Sequence, residues 1–249
     1  MPADANLNKT VLHVFKIMDA LNAADNSLGV SELTRVTGLP KTTVFRLLGT
    51  LEHVHAVTAT PNQQYHIGPK VLAYAKSADH QNSLVKVALP FMKEFAATTH
   101  ENINIGILYE NQVLYLHSEE GEQFSLQVNL FPVAPLYCSS MGKIFLTSFS
   151  NPELTQYLSQ TTLKRRTVNT LTNDEQIRNE LQKITQTGLS YDNEEYEYGL
   201  TCIAVPLYKD KELIAAASVS GPTSRLKVRG WEYIQDSIVE FGETLSSIL

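Results

Sequence analysis

The stretch "GLPKTTVFRLLGTLEHVHAV", residues 38–57, constrains the fold more than any other part of the chain. Gly38 is the residue type that ends a helix in the left-handed conformation, and Pro40 suits the opening turn of a new helix, where a missing N–H costs nothing. From there Val44, Leu47, Leu48 and Leu51 recur at helical spacing and form one apolar stripe. The opposite side carries Thr42, Arg46, Gly49 and His53, with Thr43, Phe45 and Thr50 beside them and Lys41 at the start. A helix that buries leucines on one side and offers short hydroxyl donors and a guanidinium on the other has an outer face built for contact.

The neighbouring segments complete a small unit. Leu7, Val11, Val14, Phe15, Met18 and Leu21 follow the i, i+3, i+4, i+7 repeat of an amphipathic first helix. Ser31 is expected to N-cap a short second helix over "ELTRVT", which Gly38 stops. After the third helix, running to about His53, "AVTATPNQQYHIG" reads as two short strands about a Pro-Asn turn, with Gln63 and Gln64 at its tip. Two helices joined by a tight turn and followed by a hairpin predict a winged helix-turn-helix over residues 7–68. On that reading Arg46 is placed to fork to a guanine edge, Lys41 and the nearby hydroxyls face phosphates, and Gln63 and Gln64 touch the backbone of double-stranded DNA.

Charge supports a division of labour. Residues 1–76 hold seven Lys and Arg against five acids, whereas the rest of the chain holds thirteen against twenty-one, within a total of −6. A slightly basic head on an acidic body directs a polyanion to the head. The 249 residues allow two modest domains, no apolar run approaches the roughly 18 residues of a membrane span, and the N-terminus lacks signal-peptide character, so a cytoplasmic protein is expected. Cys138 and Cys202 form no metal-spaced cluster and are read as reduced thiols; no cofactor and no metal is expected.

Residues 69–82 are Ala-rich and read as a linker helix. Residues 83–249 alternate between helical and strand patterns: a helix through Pro90, two strands about Glu110-Asn111, a third strand at 124–130, short helices at "SSMGKIFLTSFS" and "NPELTQYLSQ", and a helix from a Thr172–Glu175 capping box to Gly188. A strand, a hairpin and a C-terminal helix follow. The tally is an α+β domain with an antiparallel sheet of about five or six strands flanked by helices.

The quoted helix-turn-helix with "YHIG", together with "YCSSMGKIFL" and "YDNEEYEYGLTCIAVPLYKDKELIAAASVSGPTSR", resembles the IclR family of bacterial transcriptional regulators over nearly the whole chain. The resemblance implies a GAF-like effector domain behind the winged helix-turn-helix, and a homodimer or dimer of dimers on operator DNA. It also implies a small-molecule effector, often a carboxylic or aromatic acid. By position it assigns Ser140, Met141, Gly142, Asp192, Leu200, Cys202, Ser218 and Ser220 to the effector site. The first turn of the "SSMGK" helix offers amides suited to a carboxylate, and Lys143 is read as a brace of the pocket. Asp192 is expected to accept from an effector hydroxyl or from backbone amides. The run Glu194, Glu195, Glu197 and the triplet Lys164-Arg165-Arg166 read as solvated surface.

Two other readings compete. A small-molecule module acting through protein partners is the first. The second is a hydrolase, because Ser140-Met-Gly-Lys143 satisfies S-x-x-K; neither S-D-N nor K-T-G accompanies it, so no catalytic residue is assigned.

Overall fold

The computed structural model describes residues 7–24, 27–81, 83–121 and 133–249, and the chain divides into two compact units, residues 1–81 and 82–249. The strand expected at 124–130 lies outside the described residues.

In the first unit, α1 (Lys9–Asn22) is followed by β1 (Leu28–Gly29), α2 (Val30–Thr37), α3 (Lys41–His53), β2 (Val57–Ala59), β3 (Gln64–Ile67) and α4 (Pro69–Gln81). Asn8 caps α1, its side chain accepting from Thr10 N at 2.9 Å. The second helix starts two residues earlier than the Ser31 cap predicts. Glu32 reaches back to the Gly29 amide at 2.8 Å and fixes the start there, so Ser31 lies inside the first turn. Gly38 ends α2 at φ 68°, and the Pro40 carbonyl accepts from Val44 N at 3.0 Å to open α3. Ile17, Leu33, Val44 and Leu48 are fully buried and join the three helices to Val57 and Tyr65 of the wing. The wing is an antiparallel sheet in the order β1-β3-β2, so the expected hairpin gains a third strand through Leu28 opposite Tyr65.

The second unit contains α5 (Ser83–Thr99), β4 (Asn102–Tyr109), β5 (Gln112–Glu119), β6 (Val133–Pro135), α6 (Ser140–Leu146), α7 (Asn151–Gln160) and α8 (Asp174–Thr187). These are followed by β7 (Ser190–Asn193), β8 (Leu200–Lys209), β9 (Glu212–Pro222), α9 (Thr223–Arg229) and α10 (Trp231–Ile248). The described strands form one antiparallel sheet in the order β6-β5-β4-β9-β8-β7. Helix α8 is capped by Asn173, which accepts from Gln176 N at 2.8 Å, rather than by the predicted Thr172–Glu175 box.

Strand periodicity sorts the side chains onto two buried faces. Ile103, Ile105, Ile203, Val205, Ala217 and Val219 face α5, α9 and α10. Leu200, Cys202, Ala204 and Ala216 face α6 and its neighbours α7 and α8. The second face therefore holds the alternate residues 200, 202, 218 and 220, and that is where its polar groups collect.

Candidate functional site

In the first unit α3 turns Val44, Leu47, Leu48 and Leu51 inward and leaves Lys41, Thr42, Phe45, Arg46, Gly49, Thr50 and His53 exposed. Thr43 is half-buried. Phe45, at 64% exposure, is a large apolar side chain with no cover within its unit. Thr50 donates its hydroxyl proton back to the Arg46 carbonyl at 3.1 Å, so only its lone pairs face outward. Across an open cleft from Lys41, Thr42 and Phe45 stand Gln63 and Gln64. Gln63 adopts φ 56° at the wing tip and donates its amide to Thr60 O at 3.0 Å, while Gln64 is half-buried in β3. Helix α3 and the wing thus form two walls of one concave surface.

In the second unit, register brings the expected effector residues together. Asp192 of β7 stands opposite Cys202 of β8, which stands opposite Ser220 of β9, with Ser218 two residues along and Leu200 at the start of β8. Helix α6 crosses this face: Met141 reaches the bare backbone of Gly106, and Gly142 packs so close to Leu136 that a Cβ there would lie 2.4 Å from the Leu136 Cα. Ser140, Met141, Asp192, Leu200, Cys202, Ser218 and Ser220 are all buried. The helix start is less open to an anion than the sequence suggests. Ser139 takes the Gly142 amide at 3.2 Å while donating to Pro135 O at 2.6 Å.

Asp192 accepts from the amides of Glu195 at 2.7 Å and Tyr196 at 3.1 Å through the same Oδ1, the second of the two roles the sequence left open. Burial, then the nearby Glu195 carboxylate, push its pKa up to about 7 against the opposing amides and Lys143. Burial likewise raises the Cys202 thiol well above its ordinary range and Cys138 to about 12, so neither is a thiolate nucleophile at neutral pH.

One expectation fails here, because Glu195 of the acidic run has a tertiary partner and is not solvated surface. Glu195 is buried and meets Lys143, which also lies 3.5 Å from Glu180 of α8. The Lys164-Arg165-Arg166 triplet is exposed, as expected, and the Arg166 guanidinium lies 3.8 Å over the Tyr196 ring and donates to Tyr196 O at 3.0 Å. With Lys143 held in an ion pair, the S-x-x-K spacing serves packing rather than a nucleophile.

Sequence reasoning missed Asn104. It is buried on β4, opposite Ser218, and donates to Ser220 Oγ at 3.0 Å. A signal existed: an asparagine between Ile103 and Ile105 occupies the face where strand alternation would otherwise place a small or apolar residue.

Residues 10–61 match the IclR helix-turn-helix domain, and residues 76–247 match the C-terminal domain of bacterial IclR transcriptional regulators. The chain belongs to the IclR family. The regulator is 31% identical over 243 residues to the HTH-type transcriptional regulator KdgR of Escherichia coli (strain K12), covering 93% of this chain and 92% of that protein. The Thermotoga maritima IclR crystal structure shares 26% identity with a TM-score of 0.70, covering 97% of this chain and 98% of that one. An IclR homologue from Microbacterium hydrocarbonoxydans, solved in complex with 4-hydroxybenzoate, has the same fold at a TM-score of 0.75 and 22% identity, covering 96% and 99% of the two chains. The regulator is a DNA-binding transcription factor with a C-terminal effector-binding domain, in a family of regulators and not of enzymes. No described helix is long and apolar enough to cross a membrane.

Proposed function

We propose that the regulator binds operator DNA through α3 and the wing, and that a small carboxylic or aromatic acid on the α6 face of the second unit alters that binding. The observation that carries the first half is the exposed set Lys41, Thr42, Phe45, Arg46, Gly49, Thr50 and His53 on a helix whose other side is sealed. Arg46 is the base reader, with Thr43 beside it, while Lys41 and the Thr42 hydroxyl at the start of the helix hold phosphates. Gln63 and Gln64 follow the adjoining backbone. The α6 face supports the second half with buried polar side chains from β7, β8 and β9 converging on one place. The 4-hydroxybenzoate found with a homologue of the same fold favours an acid.

A homodimer, or a pair of them, is the assembly that this reading requires, because paired recognition helices must match half-sites roughly 34 Å apart. Helix α1 supports it. The buried residues Ile17 and Leu21 occupy one arc of the helix, and Val11, Leu12 and Phe15 continue the apolar arc into solvent, Phe15 at 62% exposure. An acid that binds two arrangements of the dimer unequally shifts their populations, and with them the spacing of the recognition helices.

A thermal-shift screen of small carboxylic and aromatic acids, repeated with operator DNA present, tests this. A bound acid raises the melting temperature, and linkage requires that the acid and DNA change each other's affinity reciprocally. An acid that binds equally with and without operator would leave the regulator unresponsive and contradict the proposal.

A further inference from the structure

We infer that Asn104 is a specificity-determining positioning residue: it turns the hydroxyls of Ser218 and Ser220 into donors, so that the effector wall selects ligands presenting acceptor oxygens. The inference rests on the effector reading above and adds to it the polarity of the wall and the residue that sets it.

Asn104 is 3% exposed, so its amide must be satisfied inside the protein. Its nitrogen lies 3.2 Å from the Ser218 carbonyl oxygen, 3.0 Å from Ser220 Oγ and 3.5 Å from Ser218 Oγ, and its oxygen accepts from the Ser118 hydroxyl at 2.7 Å. An asparagine is easily placed the wrong way round, but here one partner decides. A backbone carbonyl only accepts, so the end of the amide facing Ser218 O is the NH2 group. The oxygen then faces Ser118, whose hydroxyl donates.

This orientation constrains the two serines. Ser220 Oγ receives an N–H from Asn104 through a lone pair, and Ser218 Oγ shares the other, so each hydroxyl proton points away from Asn104. Among the described residues neither proton has an acceptor, although Ser218 and Ser220 are 2% and 6% exposed. A buried donor left over is a group awaiting a partner. Ser190 lies in the same cross-strand row, through Ala204 to Ser218, and its fully buried hydroxyl has no partner among the described residues. The wall between β7 and β4 is therefore rich in unused hydroxyl protons, which suit a carboxylate or keto oxygen, while an ammonium group would meet only the remaining hydroxyl lone pairs.

The direct test is calorimetric titration of the full-length regulator with 4-hydroxybenzoate, 4-hydroxybenzyl alcohol and 4-hydroxybenzylamine. The expected order of affinity is acid, then alcohol, then amine. Asn104→Ala should weaken the acid by about tenfold, the scale of one charge-assisted hydrogen bond, and the alcohol by less than about twofold on the same grounds. In a Ser218→Ala/Ser220→Ala background the further change Asn104→Ala should cost nothing, because its effect passes through those hydroxyls. Equal losses for acid and alcohol, or full additivity in that background, would overturn the role of Asn104. Should Asn104→Ala not fold, the unmodified protein still decides, since an amine bound as tightly as the acid contradicts a donor wall. If neither this acid nor any other in a carboxylic-acid panel binds the unmodified protein, the effector reading itself fails and this inference falls with it.

Discussion

Lys143 Nζ lies 2.5 Å from Glu195 Oε1, and both side chains are buried, the lysine completely. The pair ties α6 to the turn after β7, and Asp192 holds that same turn by accepting the amides of residues 195 and 196. The helix that crosses the proposed effector face and the strand that supplies Asp192 are thus locked together by one charge pair and one carboxylate.

Removing one member of that lock should be expensive. Lys143→Met leaves Glu195 charged and without its cation in the interior, which costs about 3–5 kcal/mol, whereas Lys143→Met with Glu195→Leu should recover most of the loss. Urea unfolding of the three proteins measures it. A single variant as stable as the unmodified protein would mean that Glu195 has other support.

Asp192 makes stability and acid binding depend on pH. Its folded pKa, about 7, lies above the ordinary aspartate value of 3.8. The stability it contributes is therefore fully present below pH 3.8 and is lost as pH rises toward 7. Asp192→Asn keeps the oxygen that accepts both amides and removes the titration, so the difference between the two unfolding curves should slope across pH 4–7 and flatten above. Acid effectors should also bind more tightly at pH 6 than at pH 8, because the protonated carboxyl does not repel an anion, and Asp192→Asn should abolish that preference in calorimetric titrations.

Gly142 tests the seat of α6. A methyl group there would meet the Leu136 Cα at 2.4 Å and the Leu136 carbonyl oxygen at 2.5 Å, both backbone atoms that cannot swing aside. Gly142→Ala should destabilise the protein by about 1–3 kcal/mol through overpacking and weaken acid binding by lifting Met141 from the sheet. Calorimetric melting and ligand titration read the two effects separately.

The α1 surface gives a prediction about assembly. Phe15→Glu places a charge on the exposed apolar arc beside Val11 and Leu12; in sedimentation velocity the unmodified protein should sediment as a dimer or larger and the variant as a monomer. An unchanged sedimentation coefficient would move the interface elsewhere.

What could be read directly from the sequence was local. Val44, Leu47, Leu48 and Leu51 announce α3 because a 3.6-residue period and a Gly-x-Pro turn are written within 20 residues. The start of α2 is less legible, since Ser31 is a favoured cap type and only the reach of the Glu32 carboxylate to the Gly29 amide moves the cap to Gly29. The burial of Glu195 is not legible locally, because its partner Lys143 lies 52 residues away in sequence. Asn104 shows in the sequence only as a polar residue between Ile103 and Ile105, and its role is hidden for a stronger version of the same reason. Its meaning depends on the β4–β9 register, which brings it against Ser218 and Ser220 across more than a hundred residues.

The most direct measurement concerns Arg46. Operator is selected from a random duplex pool with the unmodified regulator, and Arg46→Ala is then titrated against that operator and a scrambled duplex by gel shift at one fixed salt concentration. A guanidinium reading a guanine edge contributes about 1–3 kcal/mol of discrimination, so the ratio of the two affinities should fall by about fivefold or more, while binding to the scrambled duplex weakens only slightly. An Arg46→Ala protein that keeps the full ratio would show that the outer face of α3 does not read the operator.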